Sequence, residues 1–327
     1  MLVPFSAFPA NILKLTFATM KSDLKYLIVV CGPTAVGKTA VSIQLAQHFQ
    51  TEILSSDSRQ FYIETNAATA KPEPDELASV PHHFINSLSI HQEYDVGKFE
   101  NDALELLDNL YQKHDVVIVS GGSGLYIKAL TEGLDKFPEI PVKIVESLNL
   151  ELQENGLESL AKQLKEMDPQ YFNEVDQQNP QRIIRALSVI RHTGKTFSSF
   201  RSGEAVRRLF RTIYIKLEME RAKLYERIDR RVDIFLEKGL ISEAKELYAF
   251  RQLNALKTVG YTELFEHFDG KYTLQEAIEK IKQHSRNYAK RQETWLRKYI
   301  PGQGFKPEEL EGIIGYVEEE MGWNSRV

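Results

Sequence analysis

The sequence predicts an α/β fold, a P-loop NTPase-like parallel sheet core with a helical insertion domain. Three observations predict it. Short β-branched apolar runs alternate with helical patterns through the first 137 residues, and such alternation builds parallel strands covered on both faces. The first of these runs leads directly into GPTAVGKT, which fits G-x-x-x-x-G-K-[ST] between a strand and a helix. Beyond Phe137 strand signals stop until FRTIYIKLEM, so a helical stretch interrupts a sheet that later resumes.

Each element has its own justification. KYLIVVCG is a buried strand ending in glycine, and a helix follows from Lys38 to Phe49, with Val41, Leu45 and Phe49 four residues apart on one face. TEILSSD and DVVIVSGG read as the next strands, and YDVGKFENDALELLDNLYQKH between them reads as a helix. The proline-marked FPEIP breaks the pattern. Val142 to Arg201 is polar and helical, FRTIYIKLEM returns to the sheet, and long amphipathic helices run from Arg221 to Phe250 and from Thr273 to Tyr299. The expected organisation is a loose extension over 1–23, a core over 24–137 and 202–305, a helical insertion over 138–201, and a peripheral acidic tail over 306–327. Met20 stands just before the first strand and reads as an alternative start.

Composition narrows the function classes. Hydrophobic residues make up 42% of 327, enough for a sizeable core. The net charge of −5 excludes a uniformly basic nucleic-acid binder and leaves a local basic surface open. The one cysteine, Cys31, lies in an apolar run and reads as a small core residue, so an intrachain disulfide is excluded and a reducing cytoplasm suits the chain. Lys14 interrupts the apolar N-terminal stretch, and no basic region precedes it, so neither a membrane span nor a signal peptide is expected. His82 and His83 are adjacent, point different ways along an extended chain, and have no cysteine or histidine pair to complete a metal site.

The loop Gly32, Pro33, Thr34, Ala35, Val36, Gly37, Lys38, Thr39 carries the chemistry. Its glycines let backbone N–H groups curl round phosphate oxygens at a helix N-terminus, Lys38 adds a point charge, and Thr39 offers a hydroxyl to Mg²⁺. An ATPase would add an acid at the end of a neighbouring strand. DVVIVS ends instead in Gly121, Gly122 and Ser123, whereas TEILSSD ends in Asp57. Asp57 can orient a metal, take a proton from an acceptor, or simply cap a helix.

Further stretches complete a pattern. GPTAVGKT, SSDSRQFY, TAKP, PHHFIN, YDVGKFENDA, GGSGLYIKAL, NPQRIIRAL, VGYTEL and AKRQETWLRK follow one another in an order and spacing that resembles the tRNA dimethylallyltransferases (tRNA isopentenyltransferases), from about Tyr26 to Lys298. The resemblance implies transfer of the dimethylallyl group of dimethylallyl diphosphate to the N6 amine of an adenine beside a tRNA anticodon. It implies that the loop grips the diphosphate of the prenyl donor with Mg²⁺, and that Lys38, Thr39, Asp57 and Ser123 are catalytic, Ser123 replacing the more usual threonine. It carries tRNA contacts onto Asp57, Ser58, Arg59, Gln60, Lys143, Gln181, Arg182, Ile183, Ile184, Arg185, Lys257, Arg286, Lys290, Arg291 and Gln292. The implied partner is a tRNA anticodon stem-loop, with the enzyme working as a monomer.

Charge distribution fits that expectation. From Arg182 to Arg231 there are 14 Lys and Arg against five Asp and Glu, as a nucleic-acid groove requires, although solvated helix faces would look similar. Three positions depart from the family pattern: Asn66 for an acid, Ala68 for a glycine, and Asn86 for an aspartate. A β-carbon at position 68 would restrict the backbone if φ were positive there. Three other readings compete: an adenylate isopentenyltransferase that modifies free AMP, ADP or ATP, a P-loop kinase for a small metabolite, and a non-catalytic tRNA-binding relative that kept the fold. NPQRIIRAL and AKRQETWLRK argue against the first, and Asp57 beside an intact loop argues against a non-catalytic relative.

Overall fold

Val, Ile and Leu fill the interior of the first run because it becomes the centre of a sheet buried on both faces. The computed structural model describes residues 24–323 apart from 202 and 204. The expected N-terminal extension and the end of the acidic tail lie outside the described residues. In chain order the elements are β1 (Lys25–Cys31), α1 (Lys38–His48), β2 (Ile53–Ser55), α2 (Pro74–Ser79), β3 (His82–His83), α3 (Val96–Leu110), β4 (Val116–Gly121) and α4 (Gly124–Glu132). Next come α5 (Val142–Met167), α6 (Pro169–Glu174), α7 (Pro180–Thr193), β5 (Phe210–Leu217), α8 (Arg221–Glu237) and α9 (Leu240–Leu247). The last are α10 (Tyr261–Phe268), α11 (Leu274–Tyr299), β6 (Gln303–Phe305) and α12 (Leu310–Glu320).

The sheet has the order β3-β2-β4-β1-β5-β6, and every pairing is parallel. Parallel strands need crossovers, and helices supply them on both faces. Alternate residues of β1 therefore enter two different cores. Leu27 and Val29 join one with Phe61, Phe99, Leu107 and Tyr261, whereas Ile28 and Val30 join the other with Val41, Leu45, Ile215 and Val317.

Two compact units result. One takes the described parts of 1–131 and 208–327, and the other spans 132–207. The smaller unit is wider at both ends than the predicted insertion. Phe137 stacks on Phe197 with centroids 4.6 Å apart, and Val206 N–H donates to the Glu132 carbonyl over 2.7 Å, so flanking residues belong to it. Its core holds Leu148, Leu160, Leu164, Ile183, Leu187 and Ile190. Within α5, Gly156 leaves helical geometry at φ 75°, which breaks the helix.

Two local expectations need correction, and two short strands were not expected at all. The helix predicted from Arg221 to Phe250 is two helices, because Gly239 at φ 90° stops α8 and starts α9. Strands β3 and β6 have two and three residues, too short to show a period. The segment from Lys306 to Glu320 is not peripheral. Ile313, Val317 and Met321 are buried in the sheet's second core, and Tyr26 Oη donates to the Met321 carbonyl over 3.2 Å. Its glutamates lie on the outer face, which is why composition alone marked it as surface.

Candidate active site

The loop after β1 and the turns after β2 and β4 meet at the C-terminal edge of adjacent strands, where open parallel sheets place their ligands. Gly37 takes φ 117° and Ala35 takes φ 67°, so the loop curls through left-handed backbone at two positions. Gly32 is required for another reason: a β-carbon there would lie 2.8 Å from the Leu217 carbonyl oxygen. Lys38 Nζ folds back on its own loop and donates to the carbonyls of Gly32 (3.0 Å) and Pro33 (2.9 Å). Burial lowers its ammonium pKa to about 8, the Asp57 charge opposing that shift and the Arg231 charge adding to it.

Lys38, Thr39, Ser42, Asp57, Gln60 and Ser120 line one recess of about 40 Å³. The loop lysine and the acid after β2 are therefore brought together, as are Thr39 and Asp57. Those two supply hydroxyl and carboxylate oxygens, the donor type that suits Mg²⁺, a cation that keeps much of its water shell. Asp57 Oδ1 also accepts the Arg59 backbone N–H over 3.0 Å, so one carboxylate oxygen fixes its own turn. Ser123 Oγ accepts the Ser58 N–H over 3.2 Å, which binds the turn after β4 to the one after β2.

Several residues expected to touch RNA hold the protein together. The Arg59 guanidinium donates to the carbonyls of Asn254 (3.0 Å), Ala255 (3.3 Å) and Lys257 (3.4 Å). Gln60 accepts from Ser55 Oγ over 2.8 Å and donates to the carbonyl of Ala70 over 2.9 Å. Arg286 pairs with Asp229 at 2.5 Å. Gln292 is buried, and its carboxamide spans the loop and Gly122. Ile183 and Ile184 are core residues of the smaller unit, packed among its own apolar side chains. Gln181, Arg182 and Arg185 are exposed on the same helix, Arg185 lying over the Phe137 ring, and Lys143 is exposed at the start of α5. Lys257, Lys290 and Arg291 are exposed on the larger unit.

The basic strip from Arg182 to Arg231 is not one surface. Arg191 pairs with Glu151 and Arg201 with Glu174 inside the smaller unit. Arg208 pairs with Glu100, Arg211 with Glu320 and Lys223 with Glu308 inside the larger one. The acids that neutralise it lie far off in sequence, so a count along the chain could not see them.

Ala68 does not take a positive φ; Ala70 at 47° and Asn86 at 51° do. Ala68 instead faces Gly260, where an added β-carbon would come within 3.0 Å of its own. The segment's backbone is held by Glu243, which accepts the N–H groups of Asn66 and Ala67, each over 3.0 Å, and the Tyr261 hydroxyl.

The family model described as IPP transferase matches residues 60–299. The chain belongs to the IPP transferase family. Among its IPP transferase relatives, a tRNA dimethylallyltransferase of Christiangramia forsetii is 50% identical over 297 residues, which are 90% of this chain and 98% of that one. Another, of Cytophaga hutchinsonii, is 48% identical over 91% of this chain and 98% of its own. A solved tRNA isopentenylpyrophosphate transferase of Bacillus halodurans superposes with a TM-score of 0.69 at 32% identity, covering 92% of this chain and 98% of that one. A eukaryotic dimethylallyltransferase solved acting on tRNA gives a TM-score of 0.74 at 26% identity, over 91% and 77% of the two chains.

Two site residues had no signal in the IPP transferase motifs quoted above. Arg231 on α8 donates to Thr34 Oγ1 over 3.1 Å, and burial followed by the charge of Arg227 lowers its guanidinium pKa. Tyr288 on α11 is hydrogen-bonded to Ser123, and burial with the Asp57 charge pushes its hydroxyl pKa up to about 12. Their helical periodicity marks only a buried face, so the sequence alone would assign both to the core.

Proposed function

We propose that the protein transfers the dimethylallyl group of dimethylallyl diphosphate to N6 of the adenine on the 3′ side of a tRNA anticodon, releasing diphosphate. The observation that carries this reading is the joint lining of one recess by Lys38 and Asp57, a diphosphate-binding cation beside a proton acceptor. The names of the relatives support a tRNA acceptor over free AMP, ADP or ATP. Among the described residues no helix is long and apolar enough to cross a membrane. The enzyme works in the cytoplasm, as a monomer, on the anticodon stem-loop.

The reaction breaks the C–O bond of the donor and forms a C–N bond. Lys38, Arg231 and the loop amides hold the diphosphate and stabilise the charge that grows on it as it leaves. Asp57 accepts the proton that N6 loses as the new bond forms. Ser123 and Ser58 hold the turn that presents Asp57. Mg²⁺ would be held by the Thr39 hydroxyl and would neutralise diphosphate charge when bound, leaving the Asp57 carboxylate free for the proton. The acceptor base leaves its stack to reach the recess, and Arg182, Arg185, Lys290 and Arg291 hold the RNA backbone.

The test offers labelled dimethylallyl diphosphate and Mg²⁺ with either undermodified tRNA or AMP. Label in tRNA alone supports the proposal. Label in AMP supports the free-nucleotide reading, and ATP turnover on a metabolite without prenyl transfer supports a kinase.

A further inference from the structure

Gln292 sits between Arg291 and the next turn of α11, in a run that otherwise looks outward. Lys290, Arg291, Thr294 and Lys298 line an open concave face of about 470 Å³. Gln292 points the other way and is 6% exposed. Both ends of its carboxamide are used. The backbone N–H of Thr34, inside the phosphate loop, donates to Oε1 over 2.8 Å. Nε2 donates to the Gly122 carbonyl over 2.9 Å.

The surroundings are shaped to admit this side chain. A β-carbon on Gly122 would lie 2.2 Å from Gln292 Nε2 and 3.4 Å from the Gly32 carbonyl oxygen. One turn along α11, Trp295 rests on Gly124, where a β-carbon would come within 2.1 Å of the ring. Gly122 and Gly124 flank Ser123, which accepts the N–H next to Asp57. A single carboxamide thus fixes the distance between the phosphate loop and the turn that supports the acid. Burial, with both ends of the carboxamide turned toward the loop and Gly122, leaves the side chain little surface to present to RNA.

We infer that Gln292 is a positioning residue for the prenyl donor: it holds Thr34 and the Gly122 turn so that the loop is already shaped to receive a diphosphate, and it makes no contact with RNA. The inference rests on the diphosphate reading of the loop and does not depend on the transfer step. Removing the carboxamide leaves the Thr34 N–H and the Gly122 carbonyl without partners, and the loop loses its preset shape.

The test measures two affinities on the full chain. Inorganic diphosphate with Mg²⁺ is titrated without RNA, and a synthetic anticodon stem-loop is titrated without diphosphate. Gln292→Ala and the nearly isosteric Gln292→Met are expected to weaken diphosphate about 5- to 30-fold and to leave RNA affinity within twofold. Gly122→Ala, which pushes on the same carboxamide from the other side, is expected to show the same donor-only loss. In turnover the loss appears in KM for the donor more than in kcat. Arg291→Ala gives the opposite pattern, with weaker RNA and unchanged diphosphate.

A loss of RNA affinity with unchanged or tighter diphosphate in the Gln292 variants overturns the inference. So does equal weakening of both ligands. Wild-type protein that fails to bind diphosphate overturns this inference and the proposed function together. Wild-type protein that binds diphosphate but transfers nothing to tRNA overturns the proposed function alone.

Discussion

Arg231 Nη1 donates to Thr34 Oγ1 over 3.1 Å, joining residues 197 positions apart in the chain. The contact brings a largely buried guanidinium from α8 to the rim of the phosphate loop, beside Lys38 and close to Arg227. Three cations converge on one backbone loop with the Asp57 carboxylate as a partial counter-charge, a setting that favours an anionic ligand. Arg231→Ala is therefore expected to raise the KM for the prenyl donor about 10- to 100-fold, the loss of a charged hydrogen bond. Steady-state kinetics at saturating tRNA check it, and an unchanged donor KM would remove Arg231 from the site.

Donor binding should depend on pH through Lys38. Its ammonium pKa is lowered to about 8 by burial. Below that pH the free protein already carries the charge, so the donor binds without proton uptake. Above it the anion must draw a proton onto Lys38, and affinity falls by at most tenfold per pH unit. A diphosphate ester loses its own last proton near the phosphate-ester value of about 6, so it does not mask the effect. Titrations between pH 7 and about 10 read it directly, and Lys38→Arg, charged throughout, should flatten the profile.

Asp57→Asn keeps the shape of the residue and its hydrogen bond to the Arg59 N–H. It removes the proton acceptor. Turnover should drop about 10²- to 10⁴-fold while tRNA affinity holds within a few-fold. Single-turnover transfer beside a filter-binding assay separates the two, and near-normal transfer would sink the proton-acceptor role.

Gly124→Ala places a β-carbon 2.1 Å from the Trp295 ring. The half-buried indole and α11 must shift to admit it. Overpacking of this kind costs about 1–3 kcal/mol, read as a lowered Tm or denaturant midpoint. An unshifted midpoint would mean that α11 yields without cost.

On α7, alternate fates are predicted for neighbours. Ile183→Ala opens a cavity in the smaller unit and should cost about 2–5 kcal/mol with little direct effect on RNA. Arg182→Ala and Arg185→Ala should leave stability nearly unchanged and each reduce the salt dependence of tRNA binding by about one unit of slope. Chemical denaturation and salt-series binding distinguish the two classes.

How far the sequence reached can be judged from these same residues. KYLIVVCG followed by GPTAVGKT determined a strand, a loop and a helix, because a parallel strand is apolar on both faces and Gly37 serves local backbone geometry. The change to helical, polar sequence after Phe137 and the return at FRTIYIKLEM determined the inserted unit, because periodicity is a local property. The motif order determined the family. Gln292, Arg59 and Gln60 stood in motifs that read as RNA contacts, yet their partners are Thr34, the Asn254–Lys257 carbonyls and Ala70. Arg231 carried no motif at all. The paired arginines of the basic strip and the buried face of α12 belong to the same class. Each depends on groups brought together from distant parts of the chain. A sequence records which hydrogen-bonding and charged groups exist, whereas only the packed sheet and helices decide which of them satisfy one another and which remain for a ligand.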